Sequence, residues 1–322
     1  MTGEEVEGGG GEPVRRRSGV PRPASWGVAL DLGSARTRVW VGGRGPVLDV
    51  PTVGLPGAAR YPVRRGVIVD ADGCAGMLGR LLEHRLPRTA RPLVVLTAPV
   101  LDLPAYRAAA RSVVEVLRPR SVLTVPGARA IAVAAGADLS RPLLVVDVGA
   151  HLTEVVLLDD GAVTDARRVA LGTGDPGAAP GGIVDAVTRM VAATLRQDDA
   201  SLMPAALARG VLLAGGGALR PEITYRLTGR LHAPVHVVPA PHTAAVRGAA
   251  RLLESARLHP STRGPGASGA LDASGTSGTS GALDASGARS WASPQRPRPA
   301  AGPPPQAPAP ARPRTTGPAN MA

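Results

Sequence analysis

Lysine and phenylalanine are both missing from the 322 residues, cysteine occurs once, and aromatic residues make up 2%. Without a lysine amine there is no Walker-type phosphate loop, no Schiff-base chemistry and no covalent pyridoxal site. The single Cys74 excludes an intrachain disulfide and any cysteine-held zinc or iron–sulfur centre, and it suits a reducing compartment. Long apolar runs are lacking too. A stretch such as Leu93 to Val100 falls far short of the roughly 20 residues that cross a bilayer. The Glu- and Gly-rich start has no apolar signal core. These absences predict a soluble cytoplasmic protein. What the chain has in plenty is arginine, 41 Gly and 33 Pro, with a net charge of +12.

Composition divides the chain into parts. Residues 1–25 are Gly, Glu, Arg and Pro without apolar periodicity and are expected to be a disordered tail. From Arg263 the chain is Ser, Gly, Ala and Pro, with GALDASG at 269–275 repeated at 281–287. Residues 263–322 are therefore expected to form a second tail that builds no core. The middle alternates β-rich runs (WGVALDL, TRVWV, LVVLTA, SVLTV, LLVVDV, TEVVLL, GVLLA, VHVV) with helical stripes. Cys74, Met77, Leu78, Leu81 and Leu82 share one helical face, as do Tyr106, Ala109, Val113, Val114 and Leu117. Pro104 and Pro221 suit the first turn of a helix. The fold class is α/β with buried strands.

An internal repeat carries most information. Asp31-Leu-Gly33-Ser34-Ala-Arg-Thr37-Arg-Val39 and Asp147-Val-Gly149-Ala-His151-Leu-Thr153-Glu-Val155 both read D-x-G-x-x-x-T-x-V. Each copy lies between two strands and predicts a hairpin. Two such turns facing each other suit a phosphate ligand. Glycine admits close backbone approach, N–H groups and hydroxyls meet phosphate oxygens, and the paired aspartates can hold a hydrated magnesium. Taken singly, either motif marks an ordinary hairpin turn. A third element, Gly210-Val-Leu-Leu-Ala-Gly215-Gly216-Gly217, is a strand running into three glycines ahead of a helix near Pro221, where bare backbone can lie against a nucleotide.

With these segments in place, the stretch from Trp26 to Glu254 resembles the actin, Hsp70 and sugar-kinase superfamily, and most closely the bacterial MreB family of rod-shape proteins. DLGSARTRVWV resembles its first phosphate motif, LLVVDVGAHLTEVVLL its second and GVLLAGGGALRPEI its adenosine motif. RRGVIVDADGCAGMLGRLL, LVVLTAPVLDLPAYRAAARSVVEVL and PAPHTAAVRGAARLLE resemble connecting segments, in the family's order. The resemblance implies an actin-like, ribonuclease H-like fold with a first lobe at 26–140 and a second at 141–262. ATP or ADP with magnesium would lie between them. Gly33, Ser34 and Thr37 would face the phosphates from one side, Gly149 and Thr153 from the other. Gly215, Gly216 and Gly217 would line the adenosine, and Asp31 and Asp147 would hold magnesium through water.

Three departures shape the expected function. The second loop reads Gly149-Ala-His151-Leu where the family is glycine-rich; His151 either touches an anion or fills space left by a missing ligand. Val125-Pro126 stands where the family has an acidic residue before proline, which predicts little or no hydrolysis; Glu115 and Glu154 are unplaced alternatives. The stretches Val41–Gly66 and Ala170–Gly210 are too short for the small upper subdomains, so the fold is expected in reduced form. The resemblance implies a scaffold for bacterial cell shape or wall assembly, a degenerate ATPase that self-associates or joins other MreB-like and wall-assembly proteins. It would lie in the cytoplasm, peripheral to the inner face of the membrane, with its anionic surface as a further partner. Nucleic acid is disfavoured, because aromatics are few and arginine is scattered. The alternatives are an ATP-dependent phosphotransferase of the same superfamily, for which no substrate-side base is evident, and a basic adaptor acting through its tails.

Overall fold

All eight apolar runs become strands in the computed structural model, which describes residues 26–54, 59–101, 103–198 and 201–258. These residues belong to one unit, Met1–Ser268. The tails expected at 1–25 and 263–322 lie outside the described residues.

The first half runs β1 (Gly27–Leu32), β2 (Arg36–Val41), β3 (Leu48–Pro51), the short hairpin β4 (Val63–Arg64) and β5 (Val67–Ile68), α1 (Ala71–Leu82), β6 (Leu93–Ala98), α2 (Leu103–Val114), β7 (Ser121–Pro126) and α3 (Gly127–Ala135). The second runs β8 (Leu143–Val148), β9 (Thr153–Asp159), β10 (Ala162–Val169), α4 (Pro180–Arg196), α5 (Leu202–Arg209), β11 (Val211–Ala214), α6 (Pro221–Leu231), β12 (Val235–Val237) and α7 (Ala244–Leu258). The sheet orders are β3-β2-β1-β6-β7 and β10-β9-β8-β11-β12. In each, the first three strands are antiparallel neighbours and the last two add in parallel. The two halves are therefore copies of one topology, as the repeated motif predicts.

Central strands buried on both faces read as continuous apolar runs. Along β1, Val28, Leu30 and Leu32 join the core under α1 and α2, while Ala29 faces α7. Along β8, Leu144, Val146 and Val148 face α4 and α6, while Leu143 and Val145 face α3. The helix ending the second half thus covers the first sheet, and the helix ending the first half packs against the second. The two helices meet between the sheets. Gly248 of α7 lies so close to α3 that a Cβ there would fall 1.7 Å from the carbonyl oxygen of Ala130. Arg251 of α7 donates to the carbonyls of Val133 (2.7 Å) and Ala134 (3.1 Å) in the last turn of α3.

The predicted helical stripes fall on α1 and α2. Asp70 caps α1 by accepting from the Gly73 amide at 2.7 Å. Cys74, Leu78 and Leu82 are buried beneath it, and burial pushes the Cys74 thiol up to about 12. The short connections hold as expected. Among the described residues, β3 and β4 are the only strands between Val41 and Gly66, and α4 and α5 the only helices between Ala170 and Gly210. Both helices pack on the second sheet, with Ile183, Val187 and Met203 in its core. Among the described residues no helix is long and apolar enough to cross a membrane.

Candidate functional site

The two hairpin turns are built alike. The Gly33 amide donates to the Arg36 carbonyl at 3.1 Å, and the Gly149 amide to the Leu152 carbonyl at 2.9 Å. A Cβ on Gly33 would lie 2.7 Å from the Arg36 oxygen, and one on Gly149 would lie 2.9 Å from the Leu152 oxygen. Glycine is thus needed in each copy to let a carbonyl close the turn. Each tip is then bolted to the chain leaving the third strand. Thr37, fully buried, hydrogen-bonds the Thr52 hydroxyl at 2.8 Å, and Thr52 donates to the Gly33 carbonyl at 2.7 Å. Thr153, equally buried, donates to the Leu171 carbonyl at 2.8 Å, while the amides of Thr173 and Gly174 donate to the carbonyls of Gly149 and Ala150.

Between the tips, at the C-terminal ends of the central strands of both sheets, lies a cleft of about 300 Å³. Seven of the residues expected to bind nucleotide line it: Asp31, Gly33, Ser34, Asp147, Gly149, Gly215 and Gly216. Three do not. Thr37 and Thr153 spend their hydroxyls inside the hairpins. Gly217 serves packing, since a Cβ there would lie 2.2 Å from Cγ1 of Val148.

The cleft also holds residues that were not expected to bind. Thr97 donates to Asp31 Oδ1 at 2.8 Å, and Arg38 Nη1 stands 3.6 Å from Asp31 Oδ2. Arg38 Nε reaches Asp49 at 3.3 Å. Glu154, beside Asp147 in the register of β8 and β9, accepts from the Val100 amide of the first half at 3.0 Å. Burial, reinforced by repulsion from Asp31 and opposed by Arg38, raises Asp147 to about 6. Burial likewise raises Glu154 to about 7, against the opposing Val100 hydrogen bond. Tyr106, also buried beside the cleft, is pushed up by burial and by the nearby acids. His242 lines the wall, and its buried Nδ1 has no hydrogen-bond partner.

The tips themselves meet. Ser34 Oγ and His151 Nδ1 are hydrogen-bonded at 3.2 Å, joining the halves across the cleft. His151 thus stands between the loops with its Nδ1 on Ser34. Arg65 and Asp175 pair across the same junction at 3.4 Å. Val125 and Pro126 end β7 beside Thr97 and Ala98 with no carboxylate of their own. Glu115 is exposed in the turn that follows α2.

A nucleoside fits this cleft on two observations. The orphaned His242 nitrogen offers a hydrogen bond, and Gly216 has no atom within 4 Å of where its Cβ would be. Magnesium beside Asp31 would meet the guanidinium of Arg38, whose Nη1 stands 3.6 Å from Oδ2, while Oδ1 accepts from Thr97.

Counting would have found part of this. A four-residue loop between the Leu32 and Thr37 partners forces Asp31 opposite Arg38, and the second copy forces Asp147 opposite Glu154. Thr97 and His242 arrive from distant segments, without a local signal.

Comparison with known proteins agrees with this architecture. MreB 5 of Spiroplasma citri bound to AMPPNP superposes with a TM-score of 0.65 at 16% identity, over 73% of this chain and 98% of that one. The MamK double helical filament gives 0.57 at 15%, over 71% and 99%. The ethanolamine utilization protein EutJ from Carboxydothermus hydrogenoformans gives 0.52 at 18%, over 72% and 91%. These likenesses establish the actin-like fold, here in reduced form. No curated protein matches the chain. The profile of the MreB/Mbl protein family matches residues 58–176 and 180–260, more than half of the sequence, and the chain belongs to that family.

Proposed function

We propose that this protein is a cytoskeletal scaffold for bacterial cell shape or wall assembly that binds adenine nucleotide weakly and hydrolyses it little or not at all. One observation carries the reading: the hairpin tips that should flank the phosphates are tied to each other through Ser34 and His151. A ligand reaching between them must first break that bond. In-line hydrolysis needs a carboxylate free to orient water, and Glu154, which lines the cleft, is held by Val100 and has its carboxyl pushed up by burial. Nucleotide binding is supported by the open Gly216 cradle, the unpartnered His242 nitrogen and the AMPPNP- and ADP-bound states of Spiroplasma citri MreB 5. Self-association is supported by the filament that MamK forms. Its geometry here would differ, because the short upper connections remove part of the usual head-to-tail surface. The protein would work in the cytoplasm, at the inner face of the membrane.

The test is steady-state ATP hydrolysis by the full-length chain, beside Glu154→Gln. We expect no turnover above the buffer rate in either. Hydrolysis that is abolished in Glu154→Gln would make Glu154 a working base and overturn the proposal.

A further inference from the structure

We propose that Arg38 is the resident cation of the cleft and that the phosphate end of a nucleoside diphosphate binds to it directly, without a divalent metal. The inference rests on the nucleotide reading of the cleft given above and goes beyond it in naming what neutralises the ligand.

The argument starts from the duplicated hairpins. Equivalent positions carry Asp31 with Arg38 in the first and Asp147 with Glu154 in the second. One copy therefore supplies a fixed positive charge where the other supplies a third acid. The Arg38 side chain is only 14% exposed and lines the cleft. Its Nη1 faces Asp31 and its Nε faces Asp49, which orients the guanidinium. A guanidinium has five N–H donors, so donors remain for a phosphate in the planar arrangement that arginine favours. A divalent ion at the same place meets the guanidinium's charge. Asp31 Oδ1 already accepts from Thr97 and Glu154 Oε1 from the Val100 amide. Asp49 is held by Arg36 as well, through Nε at 2.5 Å, so it stays neutralised if Arg38 turns toward a ligand.

The experiment is calorimetry on the full-length chain with ADP and with adenosine, each in excess magnesium and in excess EDTA, repeated on Arg38→Gln. The expected result is equal ADP affinity in magnesium and EDTA, and ADP binding tighter than adenosine. In Arg38→Gln, ADP should weaken at least about tenfold while adenosine is unchanged, which also reports an intact cleft. ADP binding that requires magnesium overturns the inference and leaves the nucleotide reading standing. Equal affinities for ADP and adenosine in the wild type overturn it too, since the phosphates are then unread. Absence of binding by both ligands in every condition overturns the inference and the nucleotide reading together.

Discussion

Replacing Gly248 with alanine tests how the halves are held together, because two effects of opposite sign can be weighed. In a helix interior, alanine is favoured over glycine by about 1 kcal/mol. At Gly248, however, the added carbon would lie 1.7 Å from the Ala130 carbonyl oxygen and 2.5 Å from its carbon. A carbon–oxygen contact relaxes at about 3.3 Å, so α3 and α7 would have to separate by roughly 1.5 Å. Both partners are backbone atoms, which no rotamer change can move. Overpacking of this kind costs about 3 kcal/mol, and the propensity gain leaves a net loss of about 2 kcal/mol. For a folded core of this size the melting temperature should fall by about 4–8 °C. Gly229, exposed on α6 with no atom within 4 Å of its would-be Cβ, is the control. The same substitution there should raise it by about 1–4 °C. Thermal melts of both variants decide the matter. A Gly248→Ala protein as stable as the wild type would refute the close crossing of the two helices.

Two other outcomes follow from buried groups. Glu154 and Asp147 hold their protons more tightly folded than unfolded, so stability should fall as pH rises from about 4.5 to about 7 and level off above it. Glu154→Gln keeps an acceptor for Val100 and removes one ionisation; it should flatten that fall and be about 1–2 kcal/mol more stable than the wild type at pH 8, an amount reduced from the full shift because the cleft admits water. Urea unfolding across this pH range checks it, and a variant less stable at pH 8 would contradict the assigned burial. Cys74, fully buried with its thiol pushed up to about 12, should resist a disulfide reagent in native buffer and react once urea unfolds the chain; rapid native labelling would mean that α1 opens.

The strands were legible where burial on both faces makes them continuously apolar, as in Leu93–Ala98 and Leu143–Val148. The third strand of each half was not, because Asp49 in β3 and Asp165, Arg167 and Arg168 in β10 interrupt their apolar residues. Helix α3 escaped for another reason. Its sequence GARAIAVAA is only nine residues long, mostly alanine, with five positions buried against a sheet and α7. Helix α4 carries a readable stripe, Ile183, Val187, Met190, Val191 and Thr194, hidden behind the glycines and prolines that precede it.

The repeated D-x-G-x-x-x-T-x-V is the more instructive case. Read as chemistry, its glycines and threonines pointed toward phosphate; in the fold, Gly33 and Gly149 admit a carbonyl and Thr37 and Thr153 lock the hairpins from inside. Those four positions are explained by building the same turn twice and would be needed with no ligand at all. What distinguishes one half from the other lies just beside them. Ser34 and His151 decide whether the tips part, and Arg38 opposite Asp31, against Glu154 opposite Asp147, sets the charge a ligand meets. The shared glycines and threonines of the motif therefore describe the scaffold. If the cleft binds nucleotide as proposed, the unshared ones would carry the specificity, and it is there that substitutions should change binding without unfolding the chain.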